Sequence, residues 1–446
     1  MVFRDKGKEQ RSKSEHRCDY REIKAQEFHL CQSGRYASFC RCMAGTKHDI
    51  KQQQSTFRLE LVRAVPQGLI ETAGSTFAMY VAVTIFDVPM WMKMAIAAAA
   101  SLGLLLSLFT VQMVRRVGCT VNTALVLIWI LAAVGFSLAA MSGASAQVYL
   151  IGVCLAAVML TLGAPLIAQI YRKHYTNKTR GQLFAVSGVV RASTGALMGV
   201  ILGNWLAGQE QNFHVIFWGY SMACLIMAGC GMVMAKVRLR KTDRLHLFDA
   251  FQHVHQDKAF RKLLGCWFLL GMGNLLCFSL FVEFISNPTY GFELNPSKAA
   301  FVTSTIPMLI FVIFVIPWGM VFDKMPFYRV RVITNVFFLA GILVYFLGGN
   351  YLSLCIGIAL HGIGRSGGNI LWSLWVTKFA HEDHVGEYMS VHTYLTGVRG
   401  TAAPIFAFII AGNLGAETVA IIAAGLIVLS SALLWPELKA EWIHGK

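Results

Sequence analysis

Residues 91–118 read WMKMAIAAAASLGLLLSLFTVQMVRRVG. A helix that crosses a hydrocarbon core needs about 20 mostly apolar residues, and this run supplies them before Arg115, Arg116 and Gly118 end it. No charged residue falls between Met94 and Val114. Runs of the same kind lie near residues 64–86, 120–141, 147–171, 181–206 and 212–236, then near 260–285, 298–321, 329–349, 351–378, 386–412 and 415–435. The basic residues collect in alternate connections. With adjoining helix ends included, the connections after the second, fourth, sixth, eighth and tenth runs hold 18 Lys and Arg, and the others hold only Lys93 and Lys298. Lys and Arg mark the cytoplasmic side of a membrane helix, so both termini are expected in the cytoplasm, which requires an even number of spans. The expectation is an all-α polytopic protein of the inner or plasma membrane with 12 transmembrane helices.

Composition agrees. Of 446 residues 56% are hydrophobic and 14% charged, and the mean hydropathy is +0.56. A soluble domain carries roughly a quarter charged residues. The net charge of +16 does not point to nucleic acid, because 14 of the 39 Lys and Arg lie in residues 1–64 and most others flank apolar runs. Of 11 cysteines, Cys119, Cys154, Cys224, Cys230, Cys266, Cys277 and Cys355 fall in or beside apolar segments and read as packing residues. Cys18, Cys31, Cys40 and Cys42 fit no zinc spacing. His246, His253 and His255 lack an acidic or thiol ligand set, and His381-Glu382-Asp383-His384 lacks the spacing that puts two ligands on one helix face. No metal, cofactor or catalytic centre is expected.

The chain divides into a disordered basic tail at 1–60, a six-helix bundle at 61–236, a cytoplasmic linker at 237–259, a second six-helix bundle at 260–436 and a short tail at 437–446. Met43 is a plausible true start, and deleting residues 1–42 is expected to leave function intact. The linker mixes basic residues with Leu and Phe, as an amphipathic helix on the membrane surface does. The two bundles echo each other. The fifth run contains Gly188-Val-Val-Arg191-Ala-Ser-Thr-Gly195, and the eleventh contains Gly397-Val-Arg399-Gly-Thr-Ala-Ala-Pro404. Aligning Arg191 on Arg399 brings Gly203-Asn204 close to Gly412-Asn413. Many transporters are built from such a parallel repeat and bind substrate between the halves.

From about residue 60 to 436 the chain resembles the major facilitator superfamily. After the eighth span it has Gly319-Met-Val-Phe-Asp323-Lys324-Met-Pro-Phe-Tyr-Arg329-Val-Arg331, which is similar to that family's cytoplasmic signature, with Pro326 at the second glycine position. The copy after the second span keeps one base and Gly118, with Arg115 where the family has Asp and Arg116 beside it. The resemblance implies that Asp323 latches the two halves in the outward-facing state and that the first-half latch is altered.

An ionisable side chain at membrane depth needs a reason. In the first span Gln67, Glu71 and Ser75 recur every four residues and form one polar stripe, which should face a cavity between the halves. Glu71 reads either as a proton carrier or as the permanent partner of an arginine. The tenth span carries His361, Arg365, Asn369, Ser373 and Thr377 at the same interval. His392, Thr396 and Arg399 in the eleventh and Ser187, Arg191 and Thr194 in the fifth repeat the pattern, and Asn274 in the seventh adds a cavity amide. Three midplane arginines against one carboxylate leave an excess of positive charge that an anionic substrate would balance. Arg365 is the foremost candidate for that contact, whereas Arg191 and Arg399, at equivalent repeat positions, read equally well as scaffold. Trp267, Phe278, Trp372 and Trp375 read as packing or as a binding wall, and Glu283 and Asp87 as water-exposed residues near the outer helix ends. Pro165, Pro307, Pro317 and Pro404 mark bends, and Gly195, Gly199, Gly203, Gly364, Gly367 and Gly368 permit close helix approach.

The expected function is a monomeric secondary transporter of a small solute, driven by a proton or solute gradient, with the lipid bilayer as its other partner. Uptake of organic anions and export of small amphiphiles both remain open. The rivals are a transporter-like sensor or assembly factor that no longer transports, and an intramembrane enzyme.

Overall fold

The computed structural model describes residues 47–176, 179–239, 257–378 and 385–444, and all regular structure among them is helical. The helices group into twelve long rods. α1 runs over Lys47–Thr72, through a π-helical turn at Ala73–Phe77, to Ala78–Thr84. α2 is Met90–Val117 and α3 is Val121–Ala140. α4 comprises Ala146–Leu162 and Ala164–His174, broken at Gly163 just before Pro165. α5 is Arg180–Leu206 and α6 is Phe213–Val233. α7 is Lys258–Ser286, and α8 joins Pro296–Ala300, a second π-helical turn at Phe301–Thr305, and Ile306–Lys324. α9 is Phe327–Leu347, α10 Tyr351–Leu374, α11 Val385–Leu414 and α12 Ala416–Leu433, with a short α13 at Trp435–His444.

Ten of these rods are long and apolar enough to cross a membrane on length and composition. The two that fall short are α1 and α10, whose hydropathy is lowered by the polar stripes at Gln67–Glu71 and His361–Arg365. The chain is a multi-pass membrane protein, and its two least apolar rods are those that carry the candidate site.

The rods pack as a repeat. In the first half α3 packs on α4 and α6, α2 on α4, and α1 on α5 and α6. In the second half α9 packs on α10 and α12, α8 on α10, and α7 on α11 and α12, pair for pair the same arrangement. Equivalent glycines make equivalent contacts. A Cβ on Gly135 would lie 2.8 Å from the Gly152 carbonyl between α3 and α4, and one on Gly341 would lie 2.8 Å from the Gly357 carbonyl between α9 and α10. Between the halves, α2 meets α11 and α5 meets α8, which are again equivalent pairs.

Helix ends are tied locally. Thr120 accepts a hydrogen bond from the Thr123 amide at the start of α3, and Asn350 with Ser353 forms a capping box on α10. Asp257 accepts from the Phe260 amide at 2.9 Å and from the Tyr388 hydroxyl at 3.0 Å, tying α7 to α11.

Two sequence expectations change here. Residues 47–60 belong to α1 and not to a tail: Gln53 donates to Thr179 at 2.9 Å, and Thr56 bonds His174 at 3.0 Å. That segment is polar because it packs on the polar end of α4, so hydropathy alone hides it. Glu283 is not a water-exposed end residue but the buried partner of Lys93, an ion pair of 2.7 Å joining α2 to α7. The tail cysteines, the linker histidines and the 381–384 motif lie outside the described residues.

Candidate substrate cavity

The contacts between the halves concentrate at one end of the bundle. There the Lys93–Glu283 pair is joined by the Tyr80 hydroxyl, which donates to the Leu294 carbonyl at 3.2 Å, and by Ser297, which donates to Asn204. The two π-helical turns meet face to face, with Ser75 on Ser304 and Thr76 on Thr303, each at 2.7 Å between hydroxyl oxygens. A π-helical turn inserts one residue into a helix and often marks a functional position. The glycines of α5 set how closely α8 approaches: a Cβ on Gly199 would lie 2.7 Å from Thr305 Oγ1, and one on Gly203 would lie 2.8 Å from Ala300. This end is opposite the basic connections and is called the far end below.

Inward from the far end, polar side chains regain exposure. Arg365, Asn369 and Ser373 lie on one line of α10 and are exposed, although they sit within a membrane-length rod. Arg365 lies within electrostatic reach of Glu71 and Arg191 from the other half, so this line faces the space between the halves and not lipid. Helical side chains lean towards the N-terminus of their helix, which for α10 is the far end. The guanidinium accordingly reaches back over the ring of Phe278 on α7, 5.3 Å from its centre. No carboxylate lies within ion-pair distance of Arg365 among the described residues.

Glu71 is already engaged. Arg191 Nε lies 3.2 Å from its Oε1, with the two side chains 26% and 35% exposed, an ion pair open to the cavity and not a sealed one. Gln67, one turn away, accepts from Arg63 Nη1 at 2.6 Å. His361 is buried and bonds the Asn274 side chain at 2.6 Å, joining α10 to α7 behind the open line.

Arg399 and His392 are brought elsewhere. Arg399 is 5% exposed, donates to the Trp267 carbonyl and reaches Thr396 Oγ1 at 3.1 Å. His392 is buried among the rings of Trp267, Trp372 and Trp375. Of three arginines expected in the cavity, the structure turns only Arg191 and Arg365 into it. Arg399 leaves it because α11 packs directly on α7, where Gly271 makes room for the guanidinium. Trp267 and Trp375 are core residues, whereas Phe278 is open.

The signature residues divide as well. Asp323 and Lys324 are exposed at the basic end, and Asp323 has no ion pair among the described residues. Arg329 donates to the Glu441 carbonyl at 2.8 Å. Arg331, expected as a late base of the loop signature, is instead buried in α9 with its guanidinium 3.6 Å above the Trp267 ring. Arg116 is exposed, Arg115 half-buried, and Gly118 turns the chain at φ +76.

Sequence reading passed over the densest polar network. Arg63 makes a two-pronged pair with Glu60 at 2.8 and 2.6 Å and also donates to Tyr171 at 3.1 Å. The signal was present as Glu60 and Arg63 at helical spacing before Gln67, but those two precede the point at which hydropathy begins the first span.

Residues 268–443 match the sequence profile of the Major Facilitator Superfamily. No curated protein matches the chain by sequence. In three dimensions the chain is similar to the nucleoside transporter NupG, with TM-score 0.69 and 14% identity over 85% of this chain and 99% of that one. It is similar to a POT family transporter in complex with 5-aminolevulinic acid, with TM-score 0.71 and 12% identity over 86% and 95%. A third likeness is to the human organic anion transporter MFSD10, with TM-score 0.58 and 15% identity over 86% and 99%. The family profile covers residues 268–443, and the paired packing of both halves together with these likenesses shows that the whole chain has the fold of such transporters.

Proposed function

We propose that the protein is a secondary transporter that carries a small organic anion by alternating access, with Arg365 as the anion's principal contact. The observation that carries this reading is the charge balance of the cavity. Glu71 is matched by Arg191, and Arg365 remains exposed and without a carboxylate. A guanidinium at membrane depth is costly unless a counter-charge or water reaches it, and a carboxylate or phosphate fits its planar fork. The shared fold of nucleoside and peptide transporters supports transport over catalysis, sensing or assembly.

With both termini in the cytoplasm, the closed far end faces outward and the cavity opens inward. The half-exposed Glu71–Arg191 pair supports coupling to protons: protonating Glu71 would free Arg191 while the cavity is open to water. Energy then comes from an ion or solute gradient, and the transporter works as a monomer.

The test is thermal stabilisation of the purified protein by small carboxylates and organic phosphates. A solute present at about 100 times its dissociation constant adds about 2.7 kcal/mol to the folded state. Stabilisation that Arg365→Gln abolishes is the expected result. Stabilisation by neutral sugars or lipophilic cations alone, or equal anion binding by Arg365→Gln, would overturn the anion assignment.

A further inference from the structure

The second wall of the cavity is apolar where its repeat partner is polar. Gly68 of α1 packs on α5 at Arg191, and Gly271 of α7 packs on α11 at Arg399. These two glycines thus lie on corresponding helix pairs, Gly68 against the Arg191 carbonyl and Gly271 against the Arg399 guanidinium. Counting on from each, Glu71 corresponds to Asn274, and one turn further α7 carries Phe278 where α1 enters its π-helical turn. Where α1 continues its polar stripe with Ser75, α7 presents a phenyl ring. Between Cys266 and Ser286, Phe278 is the only exposed residue of α7, at 38%. It does not face lipid, because Arg365 lies over its ring and Arg365 faces the cavity. Phe281 meets the ring edge-on at 6.1 Å and fixes its tilt.

An exposed ring in a polar, water-filled space is unfavourable unless something covers it. At 5.3 Å the guanidinium is in cation–π range, and with 38% of the residue exposed part of the ring stays open. We infer that the transported anion carries a planar aromatic or conjugated group, with its acid group on Arg365 and its ring against Phe278. Phe278 then selects among anions, while Arg365 selects for anions. Aromatic pairs prefer offset or edge-on geometry, and either fits a ring whose centre is partly shaded by a cation. Asn274, one turn along α7 and bonded to His361, supplies a fixed amide beside the ring and cannot supply charge. The inference rests on the anion reading of Arg365, and the two are separable by experiment.

The probes are benzoate and phenyl phosphate, each compared with its saturated counterpart, cyclohexanecarboxylate or cyclohexyl phosphate. Charge and size are held nearly constant and only the π system changes. Dissociation constants are measured by thermal stabilisation of the full chain in detergent. The wild type should bind each aryl member about threefold to tenfold more tightly than its cyclohexyl partner, the size of an aromatic-pair effect. Phe278→Leu should reduce that ratio to about one. Phe278→Trp should keep it, which guards against a leucine variant that folds poorly. An aryl preference undiminished in Phe278→Leu, or none in the wild type, overturns the role of Phe278 while leaving Arg365 in place. If Arg365→Gln binds all four probes as the wild type does, the anion reading itself fails. If none of the four binds the wild type, both fall.

Discussion

Removing the Lys93 ammonium should open the far end. The pair spans the two halves with 2.7 Å between Nζ and Oε1, and its side chains are 9% and 4% exposed. Asn287 also donates to the same carboxylate oxygen at 2.6 Å, while Glu283 Oε2 is buried and unbonded. Glu283 therefore depends on Lys93 for its counter-charge. In Lys93→Met the carboxylate stays buried without a cation, and deleting one partner of a buried pair costs about 3–5 kcal/mol. That penalty applies while the far end is closed and is relieved when water enters. Taking the lower figure, the balance between closed and open far ends shifts by a factor on the order of 100. Replacing both partners with apolar residues, Lys93→Met with Glu283→Leu, should restore closure, because an apolar pair carries no desolvation penalty. The assay is oxidative cross-linking of cysteines placed at Asn204 and Ser297, which bond across the same end, in a background without the native cysteines. The single variant should cross-link poorly and the double variant like the parent. Wild-type cross-linking in Lys93→Met would show that the pair carries no share of the gate.

Other expectations concern packing and charge. Gly199→Val places a side chain where a Cβ already lies 2.7 Å from Thr305 Oγ1, so it should hold α5 off α8 and weaken the same cross-link without lowering the melting temperature of the first half. Glu60→Ala strands the buried Arg63 and should destabilise the protein by about 3–5 kcal/mol, read as a fall in melting temperature, whereas Glu60→Gln with Arg63→Met should lose much less. Arg331→Met should be neutral or stabilising. It gives up a cation–π contact of about 2 kcal/mol but also removes two buried nitrogens that bond nothing, each costing about 1–3 kcal/mol. A large loss of melting temperature in Arg331→Met would contradict this balance.

The fold was legible because membrane insertion writes it in two independent patterns. Apolar runs mark the rods, and alternating Lys and Arg set their expected orientation. The Arg191 and Arg399 segments, faint letter by letter, do occupy equivalent rods. Of the stripe on α10, Arg365, Asn369 and Ser373 share one exposed line, while His361 is buried behind it. What periodicity does not encode is depth and partner. Arg399 and Arg191 occupy matching places in their helices, yet one is held by a backbone carbonyl and the other by a carboxylate. Lys93 and Glu283 looked like ordinary end residues because they find each other only when two distant helices meet. Arg331 looked like a loop base because it stands four residues inside α9, within reach of the signature.

The repeat is symmetric in packing and asymmetric in charge, and the asymmetry sits where a substrate would bind. In the first half both arginines at membrane depth have carboxylates: Arg63 has Glu60 and Arg191 has Glu71. In the second half Arg331, Arg365 and Arg399 have none among the described residues. Arg331 lies on the Trp267 ring, Arg399 on the Trp267 carbonyl, and Arg365 over Phe278. The carboxylate that α7 carries, Glu283, is spent across the interface on Lys93. Two of those three guanidiniums are sealed by protein and exert their charge without offering a contact. The third is open. A neutral solute in that cavity would leave the second half's charge uncompensated, and a cation would add to it. An anion meets it at the one place in that half where a guanidinium is reachable, so under the proposed function the substrate supplies the counter-charge that Arg365 does not receive from the protein.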